Sequence, residues 1–437
     1  MSISSILYLA FFLAGAVATM WYSPFYGILL YMMEYLVNPP QRWWYSELPH
    51  LRYSFLVMCL VVISYLGNMK KFTHNRVLSL PQVKWLAGLV VLVVISYLWA
   101  VDPEVHHKFA TRYLKVLMFV ILAYKVTDTP EKMEALLATY LVGTSYLALL
   151  IWQTGRTGGG RLEGIGCADG SDANGTAALL ATAVPLFVFY LLFIKSRPLQ
   201  FVCLVGLAFN LNALILLNSR GSFLAVTFTI AFFSWRVLRE KGLIGQKAKI
   251  VVGVVGVAAL FLYLADDVFW TRMSTLKEVQ GASEKETHSR VDFWLMTPKM
   301  LGDHPLGGGA RTYHTLSPYY LPKEWLTNGK RAVHSTWFEV LSDYGYQGLC
   351  CFIGYVASVF VLARKTRQRL SAAGATYHTF QATALESSWL SLLIALSFIN
   401  GFYGELMYWL PFFIAAFANI HLSRPATVAL APQSSLG

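Results

Sequence analysis

Apolar residues fall into long runs separated by short polar connections, at roughly 4–20, 24–38, 53–68, 83–100, 111–126, 133–152, 173–194, 199–218, 221–238 and 248–266, then 336–363, 384–400 and 403–421. Runs of this length suit helices that cross a bilayer. The pattern predicts an all-α polytopic integral membrane protein with 12–13 transmembrane helices. The second and third runs are short and could be half-helices or re-entrant segments, so twelve and thirteen both stay open. One large polar insert interrupts the series. The expected organisation is N-terminal transmembrane helices over 1–266, an outward-facing loop with short helices over 267–335, C-terminal transmembrane helices over 336–422 and a disordered tail over 423–437. Together these make a single membrane domain.

Composition agrees. The 437 residues are 56% hydrophobic and only 13% charged, about half the charge of a soluble domain. The net charge of +12 invites a nucleic-acid reading, but the basic residues sit in short loops between runs, so no nucleic-acid partner is expected. Of the five cysteines none forms a C-x-x-C pair, which argues against a disulfide framework or a metal knuckle. The first apolar run lacks a basic leader and a cleavage site and reads as a retained span.

Lysine and arginine set the orientation. The connections 69–84, 194–198, 235–249 and 363–370 are basic and nearly free of acid, and they alternate so as to share one face, the cytoplasmic one. The opposite face then receives 39–52, 101–110, 153–172, the turn 218–221 and the insert. The C-terminus falls inside. The side of the N-terminus depends on whether the number of spans is odd or even.

Three sites could carry chemistry. Arg220 interrupts two apolar runs in "LNSRGSF"; it could snorkel to lipid headgroups, or its guanidinium could grip a phosphate at the outer face. Arg290 opens "SRVDFWLMTPKML", whose apolar spacing predicts an amphipathic helix ending at "GDHPLGGGA"; the alternative is a surface helix resting on the membrane. The glycine run 307–309 lacks the strand, helix and lysine of a nucleotide-binding loop. His334 lies at the mouth of a span with Ser335 as N-cap, on one helical face with Phe338 and Leu341, and could act as a general base. Glu339 and Asp343 form a second i, i+4 pair.

Weaker signals surround these. Asp169, Asp172 and Asn174 open a span, where they could touch substrate or cap the helix. Asp102, His106 and His107 fall in the outward loop 101–110 and read as surface charge more readily than as metal ligands. Aromatic residues of the insert and the next span, among them Tyr313 and Trp337, could stack on sugar rings or form an interfacial belt. Neither D-x-D nor H-E-x-x-H occurs, so no metal site is specified.

Taken in order, "NSRGSF", "SRVDFW…GDHPLGGGARTYH" and "HSTWFEVLSDYGYQG" resemble the bacterial O-antigen ligase and polymerase superfamily. Ser335 stands where that family usually has Asn, and Ala173 replaces the proline of its Asp-Pro-Asn region. The opening "YLVNPPQRWW" is similar to the branch of O-glycosylation ligases associated with exosortase-type exopolysaccharide loci. The resemblance implies a multi-pass glycosyltransferase of the bacterial inner membrane with its active site facing the periplasm. The implied donor is a glycan on undecaprenyl diphosphate, and the acceptor a hydroxyl of a glycolipid (lipid A-core sugar) or a glycoprotein (Ser/Thr). No metal and no cofactor are implied. By motif, Arg220 and Arg290 would hold the donor diphosphate, with Arg311 beside them, and His334 would activate the acceptor; Asp172, Asn174, Tyr313 and Trp337 are candidate substrate contacts. Two guanidiniums can stabilise a departing diphosphate without a cation, and a neutral imidazole can take the acceptor's proton.

Alternatives remain: a polymerase with the same chemistry, or a transporter of lipid-linked sugars. A transporter should bury ionisable residues at mid-span or break paired helices. Polar residues here gather on one face instead.

Overall fold

The computed structural model describes residues 1–156, 160–239, 247–274 and 290–422. The 423–437 tail and part of the insert, 275–289, lie outside the described residues. The protein is all-α, with no strand among the described residues. Among the described residues ten α-helices precede the insert: α1 Ile3–Trp21, α2 Pro24–Val37, α3 Tyr53–Asn68, α4 Val83–Ile95, α5 Pro103–Val126, α6 Pro130–Thr154, α7 Ala173–Phe193, α8 Arg197–Leu217, α9 Arg220–Arg239 and α10 Lys247–Leu264. The insert carries α11 Asp267–Ser274, α12 Arg290–Asp303 and α13 Thr312–Tyr320. α14 Thr336–Ala372, α15 Thr376–Leu396 and α16 Leu406–Leu422 complete the bundle.

Each apolar run of the sequence therefore has its helix. Seven of them (α1, α3, α6, α7, α8, α9 and α14) are long and apolar enough to cross a membrane, and apolar segments of α4, α10 and α16 are shorter. Local signals explain several starts. α2, α5 and α6 each begin with Pro behind a capping Ser23, Asp102 or Thr129, whose side chain accepts a first-turn N–H.

Two polar stretches expected as loops are helical. Residues 103–110 form the first turns of α5, because the Asp102–Pro103 pair starts the helix there. The basic stretch 363–370 continues α14 to Ala372, since Lys, Arg and Gln are good helix formers whose charged ends can remain in water.

α7 lies at the centre, packed on α8, α9 and α15, and is buried from Thr176 to Tyr190. α15 and α16 are also largely buried, whereas α1 and α3 are peripheral. The N-terminus is fastened to the loop after α2: the Ser2 backbone N–H donates to Glu47, and the Ser5 hydroxyl donates to the same carboxylate at 2.7 Å. Tyr8 stacks near Trp44. The chain thus starts on the face that receives 39–52.

α14 is not one continuous rod. Tyr344 and Gly345 leave helical geometry, Gly345 with φ 65°. The glycine run 307–309 fills this break: Gly308 and Gly309 donate their N–H groups to the Ser342 and Asp343 carbonyls. A side chain at Gly307 (φ 80°) would meet the Asp343 carbonyl oxygen at 2.4 Å. Glycine is required here by close backbone approach and a left-handed backbone.

Candidate functional site

The segment that draws the site together is the loop 397–405, "SFINGFYGE", between α15 and α16. Trp337 donates its indole N–H to the Ser397 hydroxyl, Thr336 bonds the Ile399 carbonyl, and the His334 backbone N–H donates to Asn400 Oδ1 at 2.8 Å. The Phe402 N–H donates to Glu339, Tyr403 OH donates to Asp343 at 2.7 Å, and the N–H groups of Glu405 and Leu406 donate to Asp169. Phe398 packs against Gly221 and lies under the Arg290 guanidinium at 5.8 Å. One nine-residue loop therefore touches the segments around Asp169, Arg220, Arg290 and His334.

His334 stands just ahead of α14, with φ 52°. It is off the helix, so it does not share a helical face with Phe338 and Leu341 as its spacing suggested; α14 begins at Thr336, and Ser335 occupies the N-cap without a side-chain cap bond. Burial pushes the His334 imidazole down to about 4, the nearby Arg290 and Arg331 push the same way, and Asp172 opposes them. The ring is therefore neutral near pH 7, between cations and a carboxylate.

α12 is packed rather than lying free on a membrane surface. Phe293 and Met300 enter a small core with Tyr313, Leu316 and Val333. Trp294 stacks on Phe338 and donates its N–H to the Val333 carbonyl. This packing carries Arg290, at the start of α12, up to His334. Arg220, at the start of α9, is exposed. Its neighbours place it on the same face: Ser219 donates to Asn174 Oδ1 at 2.9 Å, and Gly221 meets the Phe398 ring that Arg290 covers.

Arg311 also has a left-handed backbone, φ 62°. Its N–H and that of Thr312 both donate to the buried Asp343 carboxylate at 2.9 Å. The Arg311 guanidinium stacks over Phe109 at 4.7 Å and pairs with Glu339 at 3.5 Å. Beside it lies a cavity of about 120 Å³, lined by Arg112, Asp169, Asp172, Arg311, Glu339 and Asn400 among others. Arg112 pairs with Asp169 at 2.8 Å. Two guanidiniums, each already matched to a carboxylate, give this hollow donors and acceptors with little net charge, a surface suited to hydroxyl groups.

The remaining candidates have structural surroundings. Asp172 caps α7 by accepting the Gly175 N–H at 2.9 Å, and it also lines the cavity. Tyr313 is buried and donates its hydroxyl to the Phe293 carbonyl. Trp337 is half-buried, with its ring edge-on to Phe352. His106, expected at the surface, is instead fully buried: its Nε2 pairs with the Val93 carbonyl and its Nδ1 accepts the Ala310 N–H. Among the described residues no group of three or more His, Cys, Asp or Glu is placed to hold a metal.

Arg112, Arg331 and Asn400 did not emerge from the sequence. Asn400 had a signal, since "INGFYGE" is a polar, glycine-bearing break in an otherwise apolar stretch. Arg112 had none: it is one cation in the basic start of a helix.

Residues 205–353 match the profile of the family described as O-antigen ligase. That segment includes Arg220, Arg290, Arg311 and His334, and it supports membership of the O-antigen ligase superfamily and a membrane enzyme of the ligase/polymerase type. No curated protein matches the sequence.

Proposed function

We propose that the protein transfers a glycan from an undecaprenyl-diphosphate donor to an acceptor hydroxyl on the face that carries the insert, the periplasmic side of the inner membrane. The observation that carries this reading is the imidazole of His334, held neutral beside Arg290 and Arg331 and tied through its backbone to Asn400, which lines the adjoining cavity. Arg290, with Arg220 and Arg311, holds the diphosphate and stabilises the charge that grows on it as the glycosidic bond breaks. His334 takes the proton of the acceptor hydroxyl as that oxygen attacks the anomeric carbon. A single displacement of this kind inverts the centre. The bilayer binds the polyprenyl tail, and no cofactor is needed.

The geometry favours chemistry over transport. The charged groups of the site converge on one face around the 397–405 loop, where a transporter would place them at mid-span. The test is consumption of a polyprenyl-diphosphate-linked glycan by the purified protein without ATP or an ion gradient. Acceptor glycosylation that disappears with His334→Ala supports the proposal. Movement of intact donor between leaflets, with no diphosphate released, overturns it.

A further inference from the structure

We propose that the opposite, basic face carries a binding site for the phosphate of an anionic phospholipid, formed by the last turns of α9 with α14 and α15. Arg236 and Arg367 both reach the buried Glu386 carboxylate, at 3.9 and 3.1 Å. Arg364 and Arg239 stand close enough to Arg236 to repel it. Four guanidiniums thus cluster here, two of them paired with Glu386. Positive charge concentrated in this way attracts anions.

Two further observations point to a ligand. Arg236 Nε has no hydrogen-bond partner among the described residues, which leaves one guanidinium donor of the cluster unsatisfied. The Arg236 guanidinium also lies over the Trp235 and Phe232 rings at 4.8 and 5.1 Å, and that of Arg239 lies over Trp235 at 4.6 Å. This stacking fixes the planes of both cations, so their N–H edges are ready for a tetrahedral oxyanion.

The level of the site selects the source of the phosphate. Arg236 and Arg239 end a helix long and apolar enough to cross a membrane, and Trp235 is 42% exposed, as expected of an aromatic residue at headgroup depth. Basic pockets between helices on this face bind anionic headgroups.

The test is thermal unfolding of the full-length protein in detergent, titrated with phosphatidylglycerol, cardiolipin, phosphatidylcholine or inorganic phosphate. The anionic lipids should raise the midpoint and phosphatidylcholine should not. Arg239→Gln with Arg364→Gln removes two exposed cations and leaves the Glu386 pairs in place; it should weaken the lipid response about 25-fold, from about fivefold per cation. Arg197→Gln with Lys195→Gln, in another basic connection, should leave the response unchanged. An equal loss in both double variants, or no loss in the first, overturns the site. An equal shift with inorganic phosphate overturns the lipid assignment.

Discussion

Asn400 Oδ1 accepts the backbone N–H of His334 at 2.8 Å, tying the imidazole-bearing residue to the loop between α15 and α16. A β-carbon-bearing residue in left-handed geometry, here at φ 52°, carries a backbone cost of roughly 1–2 kcal/mol, and this bond helps to meet it. Arg311 repeats the device: its φ is 62° and its N–H is held by Asp343. Both residues are aimed through their own backbone.

Asn400→Ala should therefore slow turnover about 10- to 100-fold by letting the imidazole wander from its reactive position. Donor affinity should change little, because Arg290 is held separately by the packing of α12. Steady-state kinetics with separate donor-binding measurements check this. A fall in donor affinity equal to the fall in turnover would place Asn400 in donor capture instead.

The electrostatics of His334 predict an unusual pH profile. With its imidazole at about 4, below the ordinary 6.5, the residue stays neutral and able to accept a proton at pH 5. The acid limb of kcat/KM should lie near 4. Arg331→Gln removes one cation and should move that limb upward, toward 6.5. The limb of kcat should lie above that of kcat/KM, because a bound diphosphate offsets the guanidiniums. Stability follows the same sign: between pH 6.5 and 4 the unfolded chain binds a proton that the folded one refuses, so stability falls as pH drops through this window, and His334→Asn should flatten the fall.

Arg290→Ala and Arg220→Ala should each lower turnover by about 10²–10³, the usual effect of losing one group that stabilises a developing oxyanion. The protein should still reach the membrane and unfold at nearly its normal temperature, since Arg220 is exposed and Arg290 half-buried. EDTA should leave the wild-type rate unchanged. A loss reversed by Mg²⁺ would reveal a metal in the donor site.

Gly307→Ala tests the seam between insert and bundle. The added methyl meets the Asp343 carbonyl at 2.4 Å, and φ is 80°. The backbone must shift, at a cost of about 1–3 kcal/mol. Both the unfolding midpoint and activity should fall, because the same run positions Arg311.

The helices were legible because a bilayer demands long apolar stretches, and each such stretch marks a helix. What escaped was polar sequence that is buried or helical. α15 begins at Thr376, eight residues before its apolar run, because Thr379, Gln381 and Thr383 are buried among neighbouring helices despite their polarity. His106 looked like surface charge because only the tertiary structure supplies its partners, the Val93 carbonyl and the Ala310 N–H. The candidate site was legible in part. The motifs supplied Arg220, Arg290 and His334, but the left-handed turn at His334 contradicts its helical spacing. The importance of 397–405 depends on contacts from five separate parts of the chain, which no local pattern contains.

The break at Tyr344–Gly345 has a mechanical consequence. Unbroken, the 37 residues of α14 would form a rod about 55 Å long, well beyond a hydrocarbon thickness of roughly 30 Å. The segment before the break carries Glu339 and Asp343 and is clamped by the glycine run and the 397–405 loop; the segment after it packs on α4, α15 and α16, with Phe352, Tyr355, Val359 and Ala363 buried. The glycine joint instead lets the clamped start of α14 and its packed remainder take different directions, so each meets its own neighbours.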